Sequence, residues 1–516
     1  MDRRTVLAGG AALGALLPAG KLLAADRPGG SIVPATRNTA PDYWCTWALQ
    51  NYVFGQGAQS IDISRLEGGS GSDLAGESLT GARLLANNGW AARVHPNVRS
   101  DLILLVDAGW EENGMASFEL DRKKFSGWAQ FDATERMRRL DIAIRGFGWR
   151  GTGLWCRNPP GGAADEALVR RSDAANIAYW KIDVGDQSGN VVAKRNQLGS
   201  SLRLEHVNGE GAFNGNIDRD GRFPTQNWSS ERARLLRLTD VYRTYDASAP
   251  LGMPTTLDRA SQMLKAVAGN NNVRTLLNVE DEVIIAAALG CTMGVFRHQY
   301  KGLRPSGDPD LFFPKARNLK SRLDEVTRAA RWHRIAPPFG AGIGNITLDS
   351  EILIDDYVFR RGECFDPNVV NRRVFQGAPA RIARNCEMPV VTSGGTKPYV
   401  FCAGYPNGAA SIGTGERIFR DWGVEFQRAD VRWWVGSASG PIGIFGHYNS
   451  LTLQLSRPPR RAIFAQDLAG TTPVDVTSEV RVSGNTAILS GALIDRIGRQ
   501  AQTPGDVSVP GLVLDI

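Results

Sequence analysis

Ile177-Ala-Tyr-Trp-Lys-Ile-Asp183 is an apolar run that ends on a carboxylate, and its reading as a barrel strand decides the fold. Upstream, Asp101-Leu-Ile-Leu-Leu-Val-Asp107 is continuously apolar, as a strand covered on both faces requires. Ala133 to Ile144 follows with apolar residues at helical spacing (Met137, Leu140, Ile144), and Gly146 is placed to end it. Gly151-Thr-Gly-Leu-Trp155 and Ser201-Leu-Arg-Leu-Glu-His-Val207 flank the opening segment as further strands. Ser229–Arg234 and Leu235–Arg243 come next. Asp258–Ala268 reads as helix, Arg274–Val279 as strand, Glu282–Leu289 as helix and Met293–His298 as a last strand. Repeated βα units at this spacing predict a (β/α)8 TIM barrel over residues 42–345, with a doubly wound open sheet as the alternative.

Beyond residue 345 the pattern changes. Tyr399–Ala403, Val431–Val435, Leu451–Leu455 and Thr486–Leu489 are short β-rich runs separated by Gly, Pro, Asn and Ser. They predict a C-terminal antiparallel β-sandwich over 346–516, with 346–395 as an excursion beside the barrel. Arg322–Arg334 suits the barrel's last helix.

At the other end, Arg3-Arg4 precedes a Gly/Ala-rich apolar run, and Leu23-Ala-Ala25 offers a small-residue cleavage site. This resembles a twin-arginine export signal over 1–25 and predicts a periplasmic or secreted protein. Residues 26–41 read as a linker. No later apolar run reaches the length of a membrane span, so no stable membrane insertion is expected after cleavage.

The net charge of +7 on 516 residues is modest, and no Lys/Arg block alternates with aromatics, which argues against nucleic acid. Six scattered cysteines form neither a CxxC pair nor a zinc pattern. Cys45 and Cys156 read as buried thiols, and a Cys364–Cys386 disulfide is left open. Ser411-Ile-Gly-Thr-Gly415 lacks the strand-then-helix context of a phosphate loop, so neither metal nor cofactor is expected.

In such a barrel, chemistry sits where strands end. Asp107, Trp155, Asp183, Glu205 and the group Asp240, Arg243 and Asp246 fall there. Carboxylates beside aromatics suit a carbohydrate substrate, because ring faces stack on pyranoses and carboxylates accept from hydroxyls. A retaining glycosidase needs two carboxyl groups about 5–5.5 Å apart. Asp183 and Asp246 are the candidate pair.

Six short motifs occur in order: Trp44-Cys-Thr-Trp47, Asp107-Ala-Gly-Trp110, Gly153-Leu-Trp155, Lys181-Ile-Asp183, Leu204-Glu205 and Arg243-Thr-Tyr-Asp246. The order resembles that of the melibiase (α-galactosidase) clan, in particular its smaller members, over roughly residues 42–250. The resemblance implies a retaining α-glycosidase with Asp183 as nucleophile and Asp246 as general acid and base. It also implies hydroxyl-holding roles for Lys181, Arg243, Glu205 and Asp107, and walls formed by Trp44, Trp47 and Trp155. Asp240 is the alternative acid. Ala108 stands where many α-galactosidases carry a second aspartate, and Ile182 replaces the usual aromatic, which puts galactose in question. Asn158 and His206 are candidate contacts peculiar to this chain.

Plainer readings stand beside these. A strand-end aspartate also caps a following helix, Glu205 also suits a local arginine pair, and Trp44 and Trp47 also suit a barrel core. His298 and His333 read as packing or surface residues. Two competing functions stay open: a related glycosidase or transglycosylase acting on another glycone, and a carbohydrate-binding protein on a degenerate barrel.

Overall fold

The computed structural model describes residues 30–47, 49–50, 76–112, 118–157, 161–183, 189–207, 230–244, 252–295, 322–358, 373–393, 396–419, 423–436 and 439–516. The export segment, Asn158, Asp246, His298 and Cys364 therefore lie outside the described residues.

Eight parallel strands close a barrel in chain order: β1 (Tyr43–Cys45), β2 (Ile103–Val106), β3 (Gly151–Cys156), β4 (Tyr179–Ile182), β5 (Arg203–Val207), β6 (Val241–Arg243), β7 (Leu276–Glu280) and β8 (Thr292–Val295). Tyr43 pairs with Ile103 on one side and Gly294 on the other, so β1 joins β8 and the open-sheet alternative is excluded. Helices lie between successive strands.

The period-2 alternation of each strand divides two environments. Tyr43, Cys45, Ile103, Leu105, Trp155, Tyr179 and Val241 meet inside the barrel. Trp44, Leu104, Val106, Leu154, Trp180, Ile182, Leu204, Tyr242 and Met293 point outward into the core shared with the helices. The helix Ala133–Gly146 shows how the sequence builds this layer. Asp132 caps it by accepting from the Glu135 amide at 2.9 Å, and Met137, Leu140 and Ile144 bury one stripe. The interior also needs one bare backbone position, because a Cβ at Gly294 would lie 2.5 Å from the Tyr43 ring.

The C-terminal part begins its main sheet with the strand Ile346–Leu348 and contains an eight-stranded and a five-stranded sheet that face each other across a second core. These sheets are mixed, which corrects the antiparallel expectation. Arg381–Arg384 runs parallel to Tyr399–Gly404, Ala410–Gly415 to Ile442–Phe445, and Asp430–Gly436 to Ser450–Leu455. A separate antiparallel hairpin, Ile352–Val358 with Arg373–Pro379, lies against the barrel helix Gly252–Val267.

Residues 30–41 do not behave as a free linker. Asn38 donates to Ala330 O at 2.9 Å and its amide donates to Asp101 at 2.8 Å, while Ile32 N donates to Gln466 at 2.7 Å. These hydrogen bonds fasten the segment to both the barrel and the sheets.

Cys45, Cys156, Cys291, Cys386 and Cys402 are free thiols, and Cys386 Sγ lies 3.4 Å from Cys402 Sγ. Among the described residues, no helix is long and apolar enough to cross a membrane.

Candidate active site

Strand β4 sets a ladder of inward residues, Tyr179, Lys181 and then Asp183 at its C-terminal end. The Asp183 amide donates to Cys156 O at 2.8 Å, which fixes the turn out of the strand. Trp155 Nε1 donates to Asp183 Oδ2 at 3.0 Å, and an Arg243 Nη2 contact reaches Oδ1 at 3.3 Å. The Asp183 side chain keeps 16% of its surface exposed, whereas Asp107 and Glu205 keep 4% and 0%. Of these three carboxylates, Asp183 is the one open to a ligand.

Lys181 and Asp107 form a buried ion pair at 2.7 Å. Asp107 also accepts from Cys45 Sγ at 2.9 Å and from the Ala108 amide at 2.8 Å. Burial pulls the Lys181 ammonium toward deprotonation, but Asp107, with Cys45 and Asp183 adding to it, holds Lys181 above its ordinary value. Burial likewise pushes the Cys45 thiol well up, with Asp107 adding to the shift, so Cys45 stays a neutral donor. Removing either member of the ion pair strands a buried charge, at a cost of about 3–5 kcal/mol.

Arg243, at the end of β6, joins three carboxylates. Its guanidinium meets Glu280 at 2.7 Å, Asp183 at 3.3 Å and Glu205 at 3.5 Å. Burial disfavours its charge, yet Glu280 and Asp183 lead a set of neighbours that hold it well above the ordinary arginine value. Glu205 lies one layer below the mouth and accepts from Tyr43 OH at 3.1 Å, Tyr179 OH at 2.6 Å and Asn278 Nδ2 at 2.6 Å. Burial raises its carboxyl, opposed mainly by Arg243.

The structure therefore brings together Asp107, Trp155, Lys181, Asp183, Glu205 and Arg243, and it redistributes the tasks expected of them. Glu205 is fully buried with both oxygens engaged by protein donors, and Arg243 lies 3.5 Å from it. Trp47 is half-buried against the inner cluster. Trp44 is not a wall: it faces outward, buried against Trp149 at a ring separation of 5.8 Å. A one-residue step along a strand reverses the face, and Trp44 has the wrong parity. Asp240 precedes β6 and so lies at the opposite end of the barrel, where Arg195 grips both its oxygens at 2.7 and 2.9 Å. It is no candidate acid.

His206 also has outward parity. It is buried on Thr239 Oγ1 at 2.8 Å, and burial pulls its imidazole down to about 4 against the pull of Asp240. It is a neutral packing residue, not a ligand contact. His333 lies on Asp42 at 2.6 Å, in keeping with a packing role.

Four members of this network escaped the sequence reading: Tyr43, Tyr179, Asn278 and Glu280. Their signal was present, since Leu276, Asn278 and Glu280 alternate along one barrel strand, and polar residues at inward parity must pair with one another. No family model matches this chain, and no curated protein does.

Proposed function

We propose that this protein is a retaining, exo-acting α-glycosidase of the α-galactosidase type, resembling the smaller members of the melibiase clan. The observation that carries the reading is Asp183: a partly open carboxylate at a strand end, steered by the Trp155 indole and the Arg243 guanidinium on separate oxygens. In the proposed double displacement, Asp183 attacks the anomeric carbon as the glycosidic bond breaks, forming a glycosyl-enzyme. Asp246 donates a proton to the departing oxygen, then takes one from the water that releases the sugar. Its assignment rests on the Arg243-Thr-Tyr-Asp246 motif, because Asp246 lies outside the described residues.

The electrostatics favour that division of labour. An arginine beside a general acid would ordinarily keep it ionised. Here Glu280, Asp183 and Glu205 already face Arg243, so little of its charge is left to suppress the proton on Asp246. Ala108, half-buried beside the inner cluster, supplies no carboxylate for the hydroxymethyl end of galactose, which favours a broad screen of glycones. The leader with Arg3-Arg4 assigns the enzyme to the periplasm or the exterior. A mature N-terminus near Asp26 is the expected result of N-terminal sequencing, and an intact Met1 on the exported protein would exclude cleavage.

Hydrolysis of a panel of aryl α-glycosides tests the activity. Asp183→Ala should lower kcat at least about 10³-fold, and azide should restore turnover with a glycosyl azide of inverted configuration. Wild-type rates in that variant would end the nucleophile assignment. Tight sugar binding without turnover of any glycoside would replace the enzyme reading with a carbohydrate-binding one.

A further inference from the structure

The opposite end of the barrel carries a concentration of positive charge that the glycosidase reading does not use. Arg37 comes from the segment that fastens the two parts of the chain, Arg150 immediately precedes β3, and Arg203 is the first residue of β5. All three line one cleft of about 370 Å³.

Their neighbours make this arrangement unusual. Every carboxylate that begins a strand nearby is already engaged: Asp42 by His333 at 2.6 Å, Asp101 by Arg334 at 2.6 Å and Asp240 by Arg195 at 2.7 Å. Among the described residues, the Arg150 guanidinium donates to Asn38, to its carbonyl at 3.2 Å and its side-chain oxygen at 3.3 Å. Among the described residues, the Arg37 and Arg203 side chains make neither a hydrogen bond nor an ion pair. Asp173 lines the same cleft and accepts from Ser200 Oγ at 2.6 Å, so one carboxylate stands against three guanidinium groups. Burial pulls Arg150 down to about 10; the like charges of Arg203 and Arg37 add to this, against Asp42 and Asp101. Within the cleft the guanidinium groups outnumber the carboxylate, and a bound anion offsets that excess of positive charge.

We propose that this cleft is a binding site for a multiply charged oxyanion of the phosphate class, held by Arg37, Arg150 and Arg203 with the Ser201 hydroxyl as a further donor. Planar guanidinium forks match tetrahedral oxyanions, and several converging on one concavity give selectivity over chloride. The same chemistry serves free phosphate and the phosphate of an anionic lipid headgroup. The site lies at the far end of the barrel from Asp183 and stands independently of the glycosidase proposal.

Isothermal titration with inorganic phosphate at constant ionic strength, with chloride as control, tests it on the full mature chain. Arg37→Gln/Arg203→Gln is the matched variant, since both residues are exposed, and an unchanged melting midpoint without phosphate verifies its fold. Saturable phosphate binding by the wild type is expected, weakened at least about tenfold in the variant. Co-sedimentation with phosphatidylglycerol vesicles, but not phosphatidylcholine vesicles, that is lost in the variant supports the same site with a lipid as the source. Absence of saturable binding to both probes, or equal binding by the variant, overturns the proposal.

Discussion

Glu111 lies in the turn after β2, buried, and no hydrogen-bond partner meets its Oε1 among the described residues. Burial alone pushes its carboxyl from 4.5 up to about 8. The unfolded chain sheds this proton near 4.5, while the folded chain holds it to about 8. Across that window the folded state binds more protons, so stability falls as pH rises, by at most about 1.4 kcal/mol per pH unit. Glu111→Gln keeps the shape of the protonated acid and removes the titration. The variant should match the wild type near pH 4 and exceed it in urea midpoint near pH 8. An equal difference at both pH values would show that Glu111 is hydrated in the native state. The contrast with Glu205 is chemical: that carboxylate is more deeply buried, yet two tyrosines, an asparagine and Arg243 surround it.

The helix Val283–Leu289 is apolar on every side, and each of its residues is buried. Such a helix needs cover all round, and it receives it from the barrel on one side and from the strands Tyr399–Gly404 and Ala410–Gly415 on the other. Gly290 ends it at φ 63°, where a Cβ would come within 2.2 Å of the Phe339 ring. Arg384 Nη1 then caps Leu289 O at 2.8 Å and Gly290 O at 2.9 Å. Gly290→Ala should cost about 2–4 kcal/mol, from the left-handed backbone and the displaced ring together. A loss below about 0.5 kcal/mol in urea denaturation would mean that this junction repacks freely. Elements of this kind show what sequence can reveal. Covered strands such as Ile103–Val106 are continuous apolar runs, and Ala133–Gly146 announces itself by spacing and an aspartate cap. Strand direction in the C-terminal sheets was not legible, because alternation fixes which face is buried and is silent about whether the neighbour runs parallel. The site was half legible for a related reason: Asp183 and Lys181 follow from strand parity and motif, whereas Tyr43, Asn278 and Glu280 acquire meaning only when distant strands bring them to Glu205 and Arg243.

The largest core does not stop at the barrel. It runs from the outward strand residues through Val283–Leu289 and the helix Leu323–Ile335 into Tyr399, Phe401, Phe445 and Val513 of the eight-stranded sheet. Trp332 marks the crossing: its ring stands edge-on to Tyr405 and Phe445, and its Nε1 donates to Tyr405 OH at 2.9 Å. Arg328, buried in the same helix, is held by Asp467 at 2.9 and 3.1 Å and by Val509 O at 3.1 Å. The sheets thus complete the barrel's outer wall. A chain ended after residue 345 would expose an apolar helix and an arginine buried without its carboxylate, a combination that promotes association over folding. Such a truncation should partition into the insoluble fraction or elute as soluble aggregate in size-exclusion chromatography. A monodisperse fragment with cooperative unfolding would instead show that the barrel closes its own surface. Ser31 and Ile32 would lose their partner as well, since both bond to Gln466 in the sheet that the truncation removes. The fastening at residues 30–41 and the helix packing fail together, so the two parts of the chain should unfold as one cooperative unit.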